Sequence, residues 1–205
     1  MPENMMIAIP QSVENLQLPD PTLLSYYQDE ADRSFWINDE ITDNLLEFAK
    51  LIMKYNKEDV GKPIEERKPI KIFISSPGGD LDSTLSFIGL IGLSKTPIWT
   101  INMGWAYSAA GLILMAGHKR FIMPNCSVLI HSGSGMLGGS FEQTTEQMKN
   151  YKALVDKMRD FILSKTKIDV KLFKKNQSKD WYINTEEALS LGIVDEIVED
   201  LDIFF

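Results

Sequence analysis

The sequence predicts an α/β protein built on a parallel β-sheet. The first observation is a nearly continuous apolar run at residues 70–74, which is typical of a strand buried on both faces. The second is the alternation that follows, in which helix-like segments separate further strand-like runs at 98–103 and 121–123. Segments of these lengths favour the right-handed crossovers that join parallel strands.

The helices are predicted from apolar residues at helical spacing and from capping residues. Thr42 is the expected N-cap of the first long helix, and Asp82 or Ser83 is the expected cap of the next. Towards the C-terminus, Asn184 and Glu187 form a capping-box pattern. In chain order, helices are expected over residues 23–29, 42–55, 82–93, 108–116 and 141–165, and from 184 to a C-cap at Gly192.

The strands are predicted from short apolar runs, rich in β-branched residues and bounded by turns. Two segments lack such runs, one before the predicted helix at 23–29 and one after the predicted helix at 42–55. Residues 1–20 have no firm period and are expected to form a mobile N-terminal arm, and the charged segment 56–68 is expected to be a surface loop. Strands are expected at 34–37, 70–74, 98–103, 121–123, 127–130 and 193–198.

The longest helical pattern, at 141–165, predicts an outgrowth. At ~1.5 Å per residue such a helix is roughly 37 Å long, which is longer than one face of a small domain needs. We therefore expect one domain, 1–205, in which residues 132–179 project from an α/β head and meet another subunit. The apolar face of this helix consists of Met148, Tyr151, Val155, Met158 and Ile162.

Composition excludes several classes of protein. The net charge of −8 gives an acidic surface that repels phosphate backbones, so nucleic-acid binding is not expected. The single cysteine, Cys126, excludes an intrachain disulfide and fits a reducing compartment. We see neither a signal-peptide pattern nor an apolar run that would span a membrane, so a soluble, cytoplasmic protein is expected.

Three motifs carry candidate chemistry. Ser108 follows a strand and begins a helix whose N-terminal amides can stabilise developing negative charge, although a serine here can also be a simple N-cap. Gly78 and Gly79 follow a buried strand and either free their N–H groups for a ligand or form a tight turn. His131 ends a strand at the carboxyl edge of the sheet, where ligands bind in open α/β folds. His118 is expected in a solvated turn.

Together these motifs resemble the proteolytic subunit of the Clp protease, ClpP. The resemblance rests on the order and spacing of SSPGG, GWAYSAAG and MPNCSVLIH, and on the later stretch WYINTEEALSLGIVDEIV. It covers residues 32–198 and implies a ClpP/crotonase-like spiral of ββα units, with a projecting helix-and-strand handle. The activity it implies is that of a serine endopeptidase.

The resemblance also implies a role for each matching residue. Ser108 corresponds to the nucleophile and His131 to the general base, while the backbone N–H groups of Gly79 and Ala109 correspond to the oxyanion hole. The family usually has methionine where this chain has Ala109, which changes little because the donor is a backbone amide.

The glycine-rich segment after His131 resembles the family's substrate-binding strand. Gly133, Ser134 and Gly135 would pair with the substrate peptide by β-addition, which demands little of its sequence. The family usually has Gln-Pro where this chain has Ser132 and Gly133, so a looser substrate strand is expected. The further implication is a homo-oligomer of two stacked rings, which receives unfolded polypeptides from a Clp-type AAA+ unfoldase.

The largest departure from the family lies at the third catalytic position, where Asn176 replaces the usual aspartate. A neutral amide can orient the imidazole but supplies no charge to the imidazolium, and it can hold the wrong tautomer. We therefore expect a Ser108–His131–Asn176 site that is slow, or active only when assembly or a partner fixes its geometry. Asp180 or, less well placed, Asp169 could supply the missing charge.

Two other functions remain open. Asn176 is compatible with an inactive ring subunit that supplies shape and a docking surface beside an active paralogue. A crotonase-type acyl-CoA enzyme shares a two-amide oxyanion hole, but it does not usually need a serine and a histidine in this arrangement. No cofactor or metal is expected, and no phosphate-loop motif is present in the sequence, so ATP would be used by the partner unfoldase.

Overall fold

The computed structural model describes residues 21–133 and 138–205. The chain divides into two compact units, residues 1–32 and 33–205. The described part of the first unit is helix α1, Pro21–Ala31, which is longer at both ends than the predicted helix at 23–29. The predicted N-terminal arm, 1–20, lies outside the described residues.

The second unit is built on a sheet. Its strands in the described residues are β1 Ser34–Ile37, β2 Ile70–Ser76, β3 Ile98–Tyr107, β4 Lys119–Ile122, β5 Ser127–Ile130, β6 Trp181–Asn184 and β7 Glu196–Ile197. The strand order is β1-β2-β3-β4-β7, and neighbours in this order run parallel. Strand β5 pairs in parallel with the last residues of β3, beyond the part that pairs with β4, and β6 pairs antiparallel with β5.

This sheet confirms the predicted parallel α/β core. Ile70, Ile72 and Ile74 are all fully buried, as the continuous apolar run of β2 requires. The last strand is shorter than predicted, because the backbone N–H groups of Ile193 and Val194 donate to Ala188 O instead of joining a strand ladder. Strand β6 was not predicted.

The predicted helices are present, and the described residues form one more. After α1 they are α2 Leu45–Glu58, α3 Leu81–Leu93, α4 Ala109–Ala116, α5 Phe141–Lys165, α6 Val170–Asn176 and α7 Thr185–Ser190, of which α6 was not predicted.

Two helix caps differ from the prediction. Asp80, not Asp82 or Ser83, caps α3, since its carboxylate accepts from Ser83 N at 2.7 Å. Thr42 is not the cap of α2, which has Asn44 at its N-cap position. The predicted loop at 56–68 is partly helical, because α2 continues to Glu58 and a 3₁₀ turn spans Ile64–Glu66.

Helix α5 has the predicted bounds and begins with a capping box formed by Ser140 and Gln143. Its C-terminal half packs on the core through Met158 and Ile162, which are buried. Its N-terminal half is exposed within the single chain. No helix in the described part of the chain is both long and apolar enough to cross a membrane.

A buried ion pair ties β1 to the end of α2. The Arg33 guanidinium donates to both carboxylate oxygens of Asp59, at 2.6 and 3.1 Å, and the Asp59 side chain is fully buried. Thr96 Oγ1 and Lys62 Nζ also donate to this carboxylate, at 3.0 and 2.8 Å. The Arg33 hydrogen bonds hold the pKa of Asp59 well below its usual range.

We expect Asp59→Asn to lower the free energy of unfolding by about 3 kcal/mol, because the buried Arg33 charge keeps only its longer carboxylate contact, with Glu58 at 3.4 Å. The Asp59 pKa is depressed on folding, so its stabilisation is fully present above about pH 4 and is lost as the pH falls towards the folded pKa. The difference between variant and wild type should therefore shrink in acid. Urea unfolding between pH 7 and pH 3 measures this difference, and Asp43→Asn, at an exposed position, is the control. Equal unfolding midpoints for Asp59→Asn and wild type at pH 7 would contradict the prediction.

Candidate active site

Ser108 lies between β3 and α4 in an unusual backbone conformation. Its φ of 54° and ψ of −121° place a non-glycine residue in the positive-φ region, which costs free energy and occurs most often at functional sites. Its N–H donates to Leu129 O on β5 at 2.9 Å, which holds the turn. The helix begins at Ala109, one residue later than predicted, and Ser108 makes no side-chain cap bond.

The Gly78-Gly79 pair lets the loop after β2 approach this turn closely. A Cβ atom on Gly78 would lie 2.5 Å from Tyr107 O and 2.9 Å from Ser108 Cβ. A Cβ atom on Gly79 would lie 2.1 Å from Ile41 O, and both glycines have positive φ. Glycine is therefore needed at both positions for the backbone to reach the serine.

The bridge between this loop and Ile41 determines which amides are free. Ile41 N donates to Gly78 O, and Asp80 N donates to Ile41 O, both at 2.8 Å. The residues flanking Gly79 thus make both bonds of the bridge, and Gly79 N–H has no hydrogen-bond partner among the described residues. Ala109 N–H, at the first turn of α4, has no intrahelical partner either. Both residues line the same cavity as Ser108.

His131 is brought to Ser108 by the pairing of β5 with β3. In that register Tyr107 lies opposite Leu129, so the residues that follow each strand are close together. His131 Nε2 lies 2.7 Å from Ser108 Oγ, and the imidazole is about a quarter exposed. This is the hydrogen-bond reach that a serine nucleophile and its general base require.

The other imidazole nitrogen faces Asp180. His131 Nδ1 lies 3.4 Å from Asp180 Oδ1, on a carboxylate that is 58% exposed. The Asn176 side chain is buried and donates from Nδ2 to Leu172 O at 3.0 Å, and among the described residues it has no hydrogen bond with His131. Asp169 accepts from Leu172 N as the N-cap of α6. The role of Asn176 as the third member stays a prediction.

A cavity of about 640 Å³ opens beside the serine and histidine. Its lining includes apolar side chains from α4 and α5 and several carboxylate residues. Tyr151 and Met158, which the sequence pattern places only on the apolar face of α5, thus also line the cavity. The apolar lining consists of Leu112, Leu154 and Met158, with Tyr151; the acidic lining consists of Glu40, Asp80 and Asp82.

The start of the glycine-rich segment is tied down from two sides. Tyr151 Oη donates to Ser132 O at 3.1 Å, and Ser132 Oγ donates to Gln177 O. Gly133 has a positive φ and lies against the Tyr151 hydroxyl. The other predicted substrate-strand residues, Ser134 and Gly135, lie outside the described residues.

Other candidate groups are engaged elsewhere. His118 is exposed, and its Nδ1 accepts from Ile98 N at 2.9 Å. Burial raises the pKa of the Cys126 thiol, so this residue stays protonated near neutral pH and is a poor nucleophile. In the described part of the chain, no group of His, Cys, Asp and Glu is arranged to hold a metal ion.

The fold and the site together define an α/β protein with a serine-hydrolase type of site, in which a strained serine, a histidine and free amides border one cavity. The sequence model of the Clp protease family matches residues 32–200. The chain therefore belongs to the Clp protease family, a family of serine peptidases.

Individual relatives agree with this assignment. The chain is 34% identical over 135 residues to the ATP-dependent Clp protease proteolytic subunit 2 of Treponema denticola, covering 65% of this chain and 68% of the relative. It is 28% identical over 196 residues to proteolytic subunit 1 of Bacillus cereus, covering 95% and 99%. An Asn-to-Asp variant of ClpP1 from Listeria monocytogenes superposes with a TM-score of 0.74 at 24% identity, covering 88% and 99%, and shows the fold alone.

Proposed function

We propose that this chain is a serine endopeptidase subunit that hydrolyses unfolded polypeptides through an acyl-enzyme. The observation that carries the proposal is the 2.7 Å contact between His131 Nε2 and Ser108 Oγ. Ser108 Oγ attacks the peptide carbonyl while His131 takes its proton, and the proton then passes to the leaving amine. Water, activated by the same imidazole, hydrolyses the ester and restores Ser108.

The tetrahedral intermediate is proposed to be stabilised by the N–H groups of Gly79 and Ala109. Both border the cavity beside Ser108, and one donor of this kind contributes about 10²–10³ in kcat. The apolar side chains that line the cavity, among them Leu112, Leu154 and Met158, suit the burial of an apolar substrate side chain. Gly133, Ser134 and Gly135 are proposed to hold the substrate backbone by β-addition.

The proposed assembly is a homo-oligomer of two stacked rings in the cytoplasm, fed by a Clp-type AAA+ unfoldase that uses the ATP. The named relatives are proteolytic subunits of ATP-dependent proteases, which supports a partner of this kind. The exposed N-terminal half of α5, which includes Phe141 and Met148, supports a role for this helix in contacts between subunits.

A second function, a weak or inactive ring subunit, is favoured by one specific observation. The Asn176 amide is hydrogen-bonded to Leu172 O within its own helix, and an amide supplies no negative charge to the imidazolium. If Asn176 is the residue on which His131 depends, turnover is expected to be slow and the main contribution of the chain would be structural.

Labelling with a fluorophosphonate probe tests the proposal. We expect the assembled wild type to be labelled stoichiometrically at Ser108, as located by mass spectrometry, and to cleave small peptides. Ser108→Ala should lose both activities by several orders of magnitude because the nucleophile is absent. Ser83→Ala, an exchange of the same kind in α3, serves as control. An assembled wild type that is neither labelled nor active would overturn the peptidase proposal and favour the structural function.

A further inference from the structure

The pairing of β5 with β6 determines which residue faces His131. The two strands are antiparallel, with Ile130 opposite Trp181. One step further along this register, His131 falls opposite Asp180. Directly opposed residues of an antiparallel pair have Cβ atoms about 4.5–5.5 Å apart, so their side chains are neighbours. The observed 3.4 Å between His131 Nδ1 and Asp180 Oδ1 is therefore a consequence of the backbone pairing.

A second contact holds the segment that carries Asp180. Ser132, the residue after the histidine, donates from its hydroxyl to Gln177 O. Lys179 N donates to Asn176 O, which closes the turn between α6 and β6. The turn that precedes Asp180 is thus bound to the end of the strand that carries His131. This anchoring depends on Ser132, one of the residues at which the chain departs from the family resemblance.

The two alternative residues make hydrogen bonds within α6 instead. The Asn176 amide nitrogen donates to Leu172 O, and Asp169 Oδ1 accepts from Leu172 N as a helix cap. Among the described residues, Asp180 is the only carboxylate that contacts an imidazole nitrogen of His131.

We propose that Asp180 is the residue that positions His131, an inference that rests on the proposed function. Its carboxylate accepts the Nδ1–H and so keeps Nε2 unprotonated to accept the Ser108 proton. Asp180 then stabilises the imidazolium without itself taking the proton. The 3.4 Å separation is longer than a charge-assisted hydrogen bond of about 2.8 Å, and such contacts often tighten when substrate binds.

The exposure of Asp180 determines the size of its effect. At 58% exposure the charge pair is screened by water and salt, so it contributes far less than a buried aspartate. We expect Asp180→Ala and Asp180→Asn to slow fluorophosphonate labelling of Ser108 by roughly fivefold. Asp180→Glu should recover part of the rate. Added salt should slow the labelling of wild-type Ser108 but leave the labelling rate of Asp180→Asn largely unchanged. A purely structural role of Asp180 would not produce this difference.

Two further variants make the comparison specific. Asp169→Asn makes the same chemical change nearby at a helix cap, where asparagine is equally good, and should label at the wild-type rate. Asn176→Ala tests the competing residue. The inference is overturned if the Asp180 variants are labelled at the wild-type rate, and most clearly if labelling slows only in Asn176→Ala.

The tautomer of His131 gives a readout that does not depend on activity. The chain has two histidines, and in neutral His118 the Nδ1 atom is unprotonated because it accepts from Ile98 N. In ¹⁵N magic-angle-spinning spectra of sedimented protein, we expect wild-type His131 to carry its proton on Nδ1 and Asp180→Ala to show a mixture of tautomers, with His118 as unchanged reference. An unlabelled wild type would refute the peptidase proposal alone, whereas an unchanged His131 tautomer in Asp180→Ala would refute the role of Asp180.

Discussion

Gly79→Ala is expected to lower turnover by at least the 10²–10³ that one oxyanion donor contributes. The added Cβ would lie 2.1 Å from Ile41 O, and the φ of 151° is one that residues with a side chain rarely adopt. The backbone must therefore move, and Gly79 N–H moves with it. We also expect a loss of about 1–3 kcal/mol in the free energy of unfolding from the strained backbone. Rates of peptide hydrolysis and urea unfolding of the same samples measure both effects.

Gly89→Ala is the matched control for this prediction. Gly89 lies inside α3, and a Cβ atom added there meets nothing within 4 Å. Alanine is the better helix former by about 1 kcal/mol, so this variant should be slightly more stable and fully active. Wild-type turnover in Gly79→Ala would show that its amide is not an oxyanion donor.

The part of the site on the Ser108 side could be predicted from sequence because it depends on short-range signals. Gly79, Ser108 and His131 each follow a recognisable buried strand, and the parallel sheet places the ends of those strands at one edge. The positive φ of Ser108 could not be predicted, since it depends on how closely the Gly78 loop packs against the turn.

The Nδ1 side of His131 could not be predicted in the same way. The family resemblance places the third member at Asn176 and leaves Asp180 as an alternative, whereas the antiparallel register of β5 and β6 places Asp180 opposite the histidine. A strand of only four residues gives a weak sequence signal, and its pairing is a long-range contact. The cap of α3 shows a related ambiguity, because Asp80, Asp82 and Ser83 are all good caps and the geometry of the loop selects Asp80.

The exposed half of α5 is expected to carry contacts between subunits. Phe141 and Met148 are 82% and 55% exposed in the single chain, and burying such side chains in a contact contributes about 1.5–3 kcal/mol each. We expect the double variant Phe141→Asp/Met148→Asp to separate the proposed stacked rings, because two carboxylates would have to enter the contact. Sedimentation velocity should show smaller species, and peptide cleavage should fall. Val155 is a poorer target, since it packs against the core and its replacement would disturb folding.

Ile64→Asp, at a side chain of similar exposure in the 3₁₀ turn before β2, is the control and should sediment as wild type. Unchanged sedimentation of the double variant would contradict the role of α5 in assembly. Labelling of the separated species is equally informative. Tyr151 on α5 holds Ser132 O, and Ser132 holds the turn that precedes Asp180. If assembly fixes α5, separation should loosen both contacts and slow labelling of Ser108 while the nucleophile and base remain in the chain.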